Sequence, residues 1–161
     1  MKKAIFLDRD GTINSNCDHY YIWQKEEFLL NPGVCEALAE LQARGYMLIV
    51  VSNQGGISKG EYGTKEVELM HEYMRSLLAA EGVHLDAIYY CPHHHMVENC
   101  LCRKPMPLMI EKAIARFDID PASSWMIGDA QRDMEAGQAA GLQCILIAPN
   151  GDLRKVLGQI N

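Results

Sequence analysis

The chain has 161 residues, enough for one domain with a real core, and its 48% hydrophobic and 22% charged residues are ordinary for a soluble globular protein. No apolar run is long enough to span a bilayer, and the start lacks the apolar core and cleavage site of a signal peptide, so a cytoplasmic protein is expected. A net charge of −6 without a dense basic cluster argues against a polynucleotide partner and leaves a small anionic substrate open.

KKAIFLD (2–8) is an apolar run entering a polar turn and reads as a first strand. Residues 14–30 form a long connection with Tyr20, Tyr21, Trp23 and Phe28; such a loop in a compact domain is often functional, and its aromatics are expected to pack it onto the body. NPGVCEALAELQARGY opens at a plausible cap, Asn31, repeats Val34, Leu38 and Leu41 at helical spacing, and stops at Gly45. MLIVVSN (47–53) is a fully apolar strand of the kind buried on both faces. The longest helix opens at Thr64, carries Val67, Met70, Met74, Leu77 and Leu78 on one side, and ends at Gly82. LDAIYYC (85–91) is a third strand, and PMPLMIEKAIARF (105–117) a helix with proline in its first turn. SWMIGD (124–129) and QCILIA (143–148) are further strands, separated by the short helix RDMEAGQAAG and followed by a closing helix, DLRKVLGQ. Alternating strands and helices predict an α/β fold: a doubly wound parallel sheet of about five core strands, in a single domain over 1–161.

Ligands of open parallel sheets bind at the carboxyl ends of the strands. Those ends carry Asp8-Arg9-Asp10-Gly11-Thr12, Ser52-Asn53-Gln54 and Gly128-Asp129, with Asp133 a turn beyond and Lys104 opening the preceding helix. Asp8 and Asp10 would share one side of a straight strand and repel, a cost that a divalent cation relieves; Mg²⁺ takes hard oxygen ligands, and Asp129 could complete its site. Any one strand-end aspartate could merely cap a turn, but all of them together with Ser52 and Lys104 argue for chemistry.

YCPHHHMVENCLCRKP (90–105) places Cys91, His93, Cys100 and Cys102 as a Cys₃His set, a closed tetrahedral zinc pattern with no vacancy for substrate. The metal expected there is structural and staples the loop that leads into Lys104. His94 or His95 could replace His93, or line the pocket. Cys17, Cys35 and Cys144 read as ordinary small residues, and the scattered methionines as helix packing.

Asp8-x-Asp10-Gly11-Thr12, Ser52, Lys104 and Gly128-Asp129-(x3)-Asp133 resemble, in order, the four motifs of the haloacid dehalogenase (HAD) superfamily of phosphotransferases. The resemblance implies that Asp8 is the nucleophile forming an aspartyl-phosphate and that Asp10 is the general acid and base. It implies Mg²⁺ on the Asp8 and Asp129 carboxylates and the Asp10 backbone carbonyl, with Ser52 and Lys104 on the phosphoryl oxygens. Asp133 would orient Lys104 or a metal-bound water, Gly11 would permit a sharp turn, and Thr12 would hydrogen-bond within it. CPHH…CxCRKP and SNQGGISKG (52–60) are similar to the zinc-loop phosphatases of the superfamily, which lack a large cap domain. That branch acts on a heptose 1,7-bisphosphate used in cell-surface lipopolysaccharide, or on histidinol phosphate. The short interval between His93 and Cys100 weakens the heptose alternative, and the free-standing chain favours it. Specificity would come from residues 14–30, 53–63 and the zinc loop, with Arg103 a candidate for the second phosphate or the sugar and Asn53 and Lys59 weaker ones. A receiver-type signalling domain, with its phospho-acceptor aspartate at a strand end, and a zinc-stapled binding module are the readings of another class. A monomer is expected.

Overall fold

The computed structural model describes residues 1–161. Its regular elements follow the apolar periodicity: β1 Ala4–Leu7, α1 Val34–Ala43, β2 Met47–Asn53, α2 Thr64–Ala79, β3 Ala87–Cys91, α3 Leu108–Phe117, β4 Trp125–Gly128, α4 Gln131–Ala139 and β5 Gln143–Leu146. All strand pairings are parallel, in the order β3-β2-β1-β4-β5. The chain builds outward from β1 to β3 and then crosses to the other side of β1. The topological switch therefore falls between β1 and β4, where an open sheet leaves a crevice at its carboxyl edge.

Successive strand residues point to opposite faces, and helices cover both. Ile5, Leu7, Leu48, Val50 and Ile127 pack with Leu38 and Leu41 of α1 and Met70, Met74 and Leu78 of α2. Ala4, Phe6, Ile49, Val51 and Met126 pack with Met109, Ile110 and Ala113 of α3 and Met134 and Ala136 of α4. Two covered faces explain why the strands read as continuous apolar runs. No helix is long and apolar enough to cross a membrane.

Three local expectations change. Asn31 does not cap α1: Gly33 holds that position at φ 74°, and the Asn31 amide instead donates to the Thr12 carbonyl at 3.2 Å. The closing segment is a 3₁₀ helix, Leu153–Gln159, rather than an α-helix. The helix expected from residue 105 begins at Leu108, so Lys104 lies in the turn before α3. The 14–30 connection contains one 3₁₀ turn, Lys25–Glu27, and sends Ile22 and Phe28 into the core.

Candidate active site

β1 ends at Leu7, and Asp8 follows it at the centre of the carboxyl edge. Asp8 is 6% exposed and Lys104 1%. The Lys104 ammonium donates to Asp8 Oδ1 at 2.8 Å and to the Val51 carbonyl at 2.7 Å, and pairs with Asp133 Oδ1 at 2.7 Å. Burial works against the lysine charge, but Asp8 and Asp133 outweigh it and raise the Lys104 pKa. For Asp8, burial pushes the pKa up most, Lys104 pulls it back, and Asp133 and Asp129 push it up again, leaving it well above the usual carboxylate range. Asp133 is committed twice, since its Oδ2 also accepts the Ala130 N–H that opens α4.

Oxygens of Asp8, Asp129 and Asp133 lie within 4.8 Å of one another. Carboxylates crowded this closely and short of positive charge are a hard-oxygen donor set that fits a divalent cation. Asp133 uses one oxygen on Lys104 and the other on the Ala130 N–H, whereas Asp8 engages Lys104 through Oδ1 alone, so Asp8 Oδ2 and the Asp129 carboxylate are the donors left for a cation. Backbone shape allows the approach: Gly11 sits at φ 87°, and a Cβ there would lie 2.2 Å from Asp129 Oδ2. At Gly128 a Cβ would lie 2.4 Å from Asp133 Oδ2, so this position too must stay bare.

Asp10 is held by residues to which the sequence assigned no role. Arg9, fully buried, donates from Nε to Asp10 Oδ1 at 3.0 Å and from Nη2 to both oxygens at 2.9 and 3.1 Å. The Asn14 and Gln54 amides add bonds of 2.9 and 3.1 Å. Arg9 also donates to the Ile22 carbonyl at 2.6 Å and to His71 Nε2 at 3.2 Å, tying the long loop and α2 to the same carboxylate. The repulsion expected between Asp8 and Asp10 is thus met by two different cations, Lys104 for one and Arg9 for the other. A buried arginine inside a strand-end motif was the available signal, because such a charge must find a partner.

The other expected residues divide between the cavity and the shell that supports it. Ser52 is 1% exposed, and its hydroxyl accepts the Gln54 amide at 2.7 Å while Tyr62 donates to Gln54 Oε1 at 2.6 Å. Gln54, rather than Ser52, lines the cavity, beside Asp8, Asp10, Asn53 and Asp129. Asn53 grips the Lys104 peptide from both sides, donating to its carbonyl at 3.2 Å and accepting its N–H at 3.0 Å. The Thr12 hydroxyl is buried without a partner, so the turn is closed by backbone, Thr12 N–H to the Arg9 carbonyl at 3.2 Å, and not by the side chain. Trp23 stacks on Tyr62 at 6.1 Å and Tyr21 meets it edge-on at 5.8 Å, so these two pack the long loop down. Tyr20 does not: it is 74% exposed and lines the cavity mouth. Arg103 lines the cavity as expected, with its Nη1 donating to the His93 carbonyl at 3.0 Å. Lys59 does not line it; its ammonium lies over the Tyr21 ring at 5.8 Å.

The Cys/His loop closes into one cluster. Cys91 Sγ lies 3.4 Å from His93 Nδ1, 3.7 Å from Cys100 Sγ and 2.9 Å from Cys102 Sγ, and His93 Nδ1 lies 3.3 Å from Cys102 Sγ. A tetrahedral zinc with bonds of about 2.0–2.3 Å needs donor separations of roughly 3.5–3.8 Å, and a disulfide about 2.05 Å; the 3.3, 3.4 and 3.7 Å separations lie close to the metal's range, and the 2.9 Å between Cys91 and Cys102 is shorter than it but well beyond a disulfide. His93, not His94 or His95, supplies the nitrogen. Its Nε2 lies 4.0 Å from Glu98. The Arg103 N–H donates to Cys100 Sγ at 3.4 Å, so the cluster reaches the residue next to Lys104. His94 stacks on His95 at 4.5 Å and lines the active cavity.

Acids at the ends of two adjacent parallel strands, a buried lysine between them and a donor set for a divalent cation define a site for phosphoryl transfer. Residues 101–157 match the HAD-hydrolase-like family. The chain is 44% identical over 156 residues to D-glycero-beta-D-manno-heptose-1,7-bisphosphate 7-phosphatase of Pasteurella multocida, covering 94% of this chain and 84% of that one. The protein of the same name from Escherichia coli is 44% identical over 154 residues, covering 92% and 80%. Among solved structures, D,D-heptose 1,7-bisphosphate phosphatase from B. bronchiseptica, complexed with magnesium and phosphate, superposes with a TM-score of 0.85 at 35% identity, over 98% of this chain and 86% of that one. The chain belongs to the HAD-like hydrolases, among their phosphatases.

Proposed function

We propose that the chain hydrolyses the C7 phosphate of D-glycero-β-D-manno-heptose 1,7-bisphosphate through an aspartyl-phosphate. The observation that carries this reading is the buried Asp8–Lys104 pair beside Asp129, in a chain 44% identical to phosphatases named for that substrate. An Asp8 oxygen attacks phosphorus, the bond from phosphorus to the sugar oxygen breaks, and Asp10 gives that oxygen its proton. Asp10 then takes a proton from water, the water oxygen attacks the same phosphorus, and phosphate leaves with Asp8 restored. Arg9, Asn14 and Gln54 hold the Asp10 carboxylate in place beside Asp8 through both halves of the cycle. Lys104, held in register by Asn53 and Asp133, faces the phosphoryl oxygens.

Asp8 and Asp129 through their carboxylates, and Asp10 through its carbonyl, are the residues that would hold Mg²⁺, which when bound supplies charge neutralisation at the phosphate. Cys91, His93, Cys100 and Cys102 would hold Zn²⁺ as a structural staple before Arg103 and Lys104. Arg103 is the contact proposed for the second phosphate. The reading extends to one domain over residues 1–161, acting in the cytoplasm as a monomer on a small phosphorylated metabolite, without nucleic acid or membrane.

Phosphate release in Mg²⁺ from heptose 1,7-bisphosphate and from histidinol phosphate, side by side with Asp8→Asn, tests the proposal. A large preference for the heptose and a dead Asp8→Asn variant are expected. Preference for histidinol phosphate would overturn the substrate, turnover by Asp8→Asn would overturn the nucleophile, and a single stoichiometric phosphorylation without turnover would point to a receiver domain.

A further inference from the structure

The active cavity adjoins a second one along the Cys/His loop, lined among others by His95, Glu98, Asn99 and Lys104. Only Arg103 and Arg132 line both. Arg103 precedes Lys104, and Arg132 stands in the first turn of α4, three residues past Asp129. Arg103 uses one N–H on the His93 carbonyl, while the exposed Arg132 side chain makes no hydrogen bond within the protein. Neither guanidinium forms an ion pair, although the chain has 21 acidic residues against 15 Lys and Arg. Two unpaired cations at one boundary repel each other, and a planar fork with free N–H groups is matched best by a phosphate.

We propose that Arg132 binds the second phosphate of the substrate together with Arg103, at the junction of the two cavities. This rests on the bisphosphate reading above. The reacting phosphate then lies at Asp8 and Lys104, and the uncleaved one anchors the sugar from the α4 side. The enzyme grips its substrate by the group it leaves behind, so a bisphosphate is favoured over either monophosphate.

The test compares wild type, Arg132→Ala and Arg132→Lys on two pairs: heptose 1,7-bisphosphate against heptose 7-phosphate, and fructose 1,6-bisphosphate against fructose 6-phosphate. In each pair that wild type discriminates, Arg132→Ala is expected to lower the bisphosphate-to-monophosphate ratio of kcat/KM by roughly tenfold or more, chiefly through KM, with partial recovery in Arg132→Lys. An unchanged ratio overturns the proposal, and so does an equal loss on both members of a pair, which would place Arg132 at the reacting end. If wild type ignores the heptose but discriminates the fructose pair, the substrate assignment falls and the Arg132 ratio on fructose decides this inference. A wild type blind to the second phosphate in both pairs refutes both.

Discussion

Replacing Arg9 with methionine removes a fully buried guanidinium while keeping much of the side-chain volume. Asp10 loses three donor contacts at 2.9–3.1 Å, the Ile22 carbonyl loses its 2.6 Å donor, and His71 Nε2 loses its 3.2 Å one. Breaking a buried pair from one side costs about 3–5 kcal/mol. The Asp10 side chain is 21% exposed, so water reaches it and the lower end applies, about 3 kcal/mol. For a chain of this size that lowers the Tm by roughly 6–12 °C. Activity suffers separately. A general acid and base contributes about 10²–10⁴ in rate, and an Asp10 free to turn from the cavity should forfeit part of that, lowering kcat roughly ten- to a hundredfold. Arg9→Lys restores charge but not the fork, and should recover stability better than kcat. Thermal unfolding followed by circular dichroism, with steady-state phosphate release, reads both effects. A Tm within about 2 °C of wild type together with unchanged kcat would refute the view that Arg9 organises Asp10.

In Gly11→Ala, a new Cβ would lie 2.2 Å from Asp129 Oδ2, at a φ of 87° that costs alanine about 1 kcal/mol. The Mg²⁺ concentration for half-maximal activity should rise roughly tenfold, and an unchanged requirement would remove Asp129 from the cation site. His71 has its pKa lowered from 6.5 to about 3, by burial first and then by Arg9 and Arg75. Its contribution to stability is therefore complete above pH 6.5 and falls with pH down to 3, by up to about 1.4 kcal/mol per unit, because the unfolded state binds the proton more readily. Urea unfolding between pH 7 and 5 should show a shallower slope in His71→Gln, and parallel slopes would contradict the buried neutral imidazole. Metal analysis should find about one zinc per chain, and chelation should lower both Tm and activity. Zinc-free protein with full activity and an unaltered Tm would show that the loop folds without a staple.

The sequence alone determined the alternating elements, the acids at the strand ends and the Cys₃His cluster. Each is a local signal: apolar period sets the element, the strand ends where the polar residues begin, and four ligands within twelve residues can close on one metal. Only the tertiary structure decided which neighbours those residues meet. The strand order sets β4 beside β1, which brings Asp129 to Asp8 across 121 positions of chain. Arg9 turns inward to His71, 62 residues away, and Asn53 takes hold of Lys104, 51 residues away. Gln54 displaced Ser52 from the cavity wall because Tyr62 and Asp10 both hold its amide. Tyr21 and Trp23 pack on Tyr62, while Tyr20 meets Tyr21 edge-on at 4.8 Å from the outside and stays exposed. The direction of a side chain beyond a strand end is set by partners supplied from distant segments, and periodicity along the chain carries no record of them.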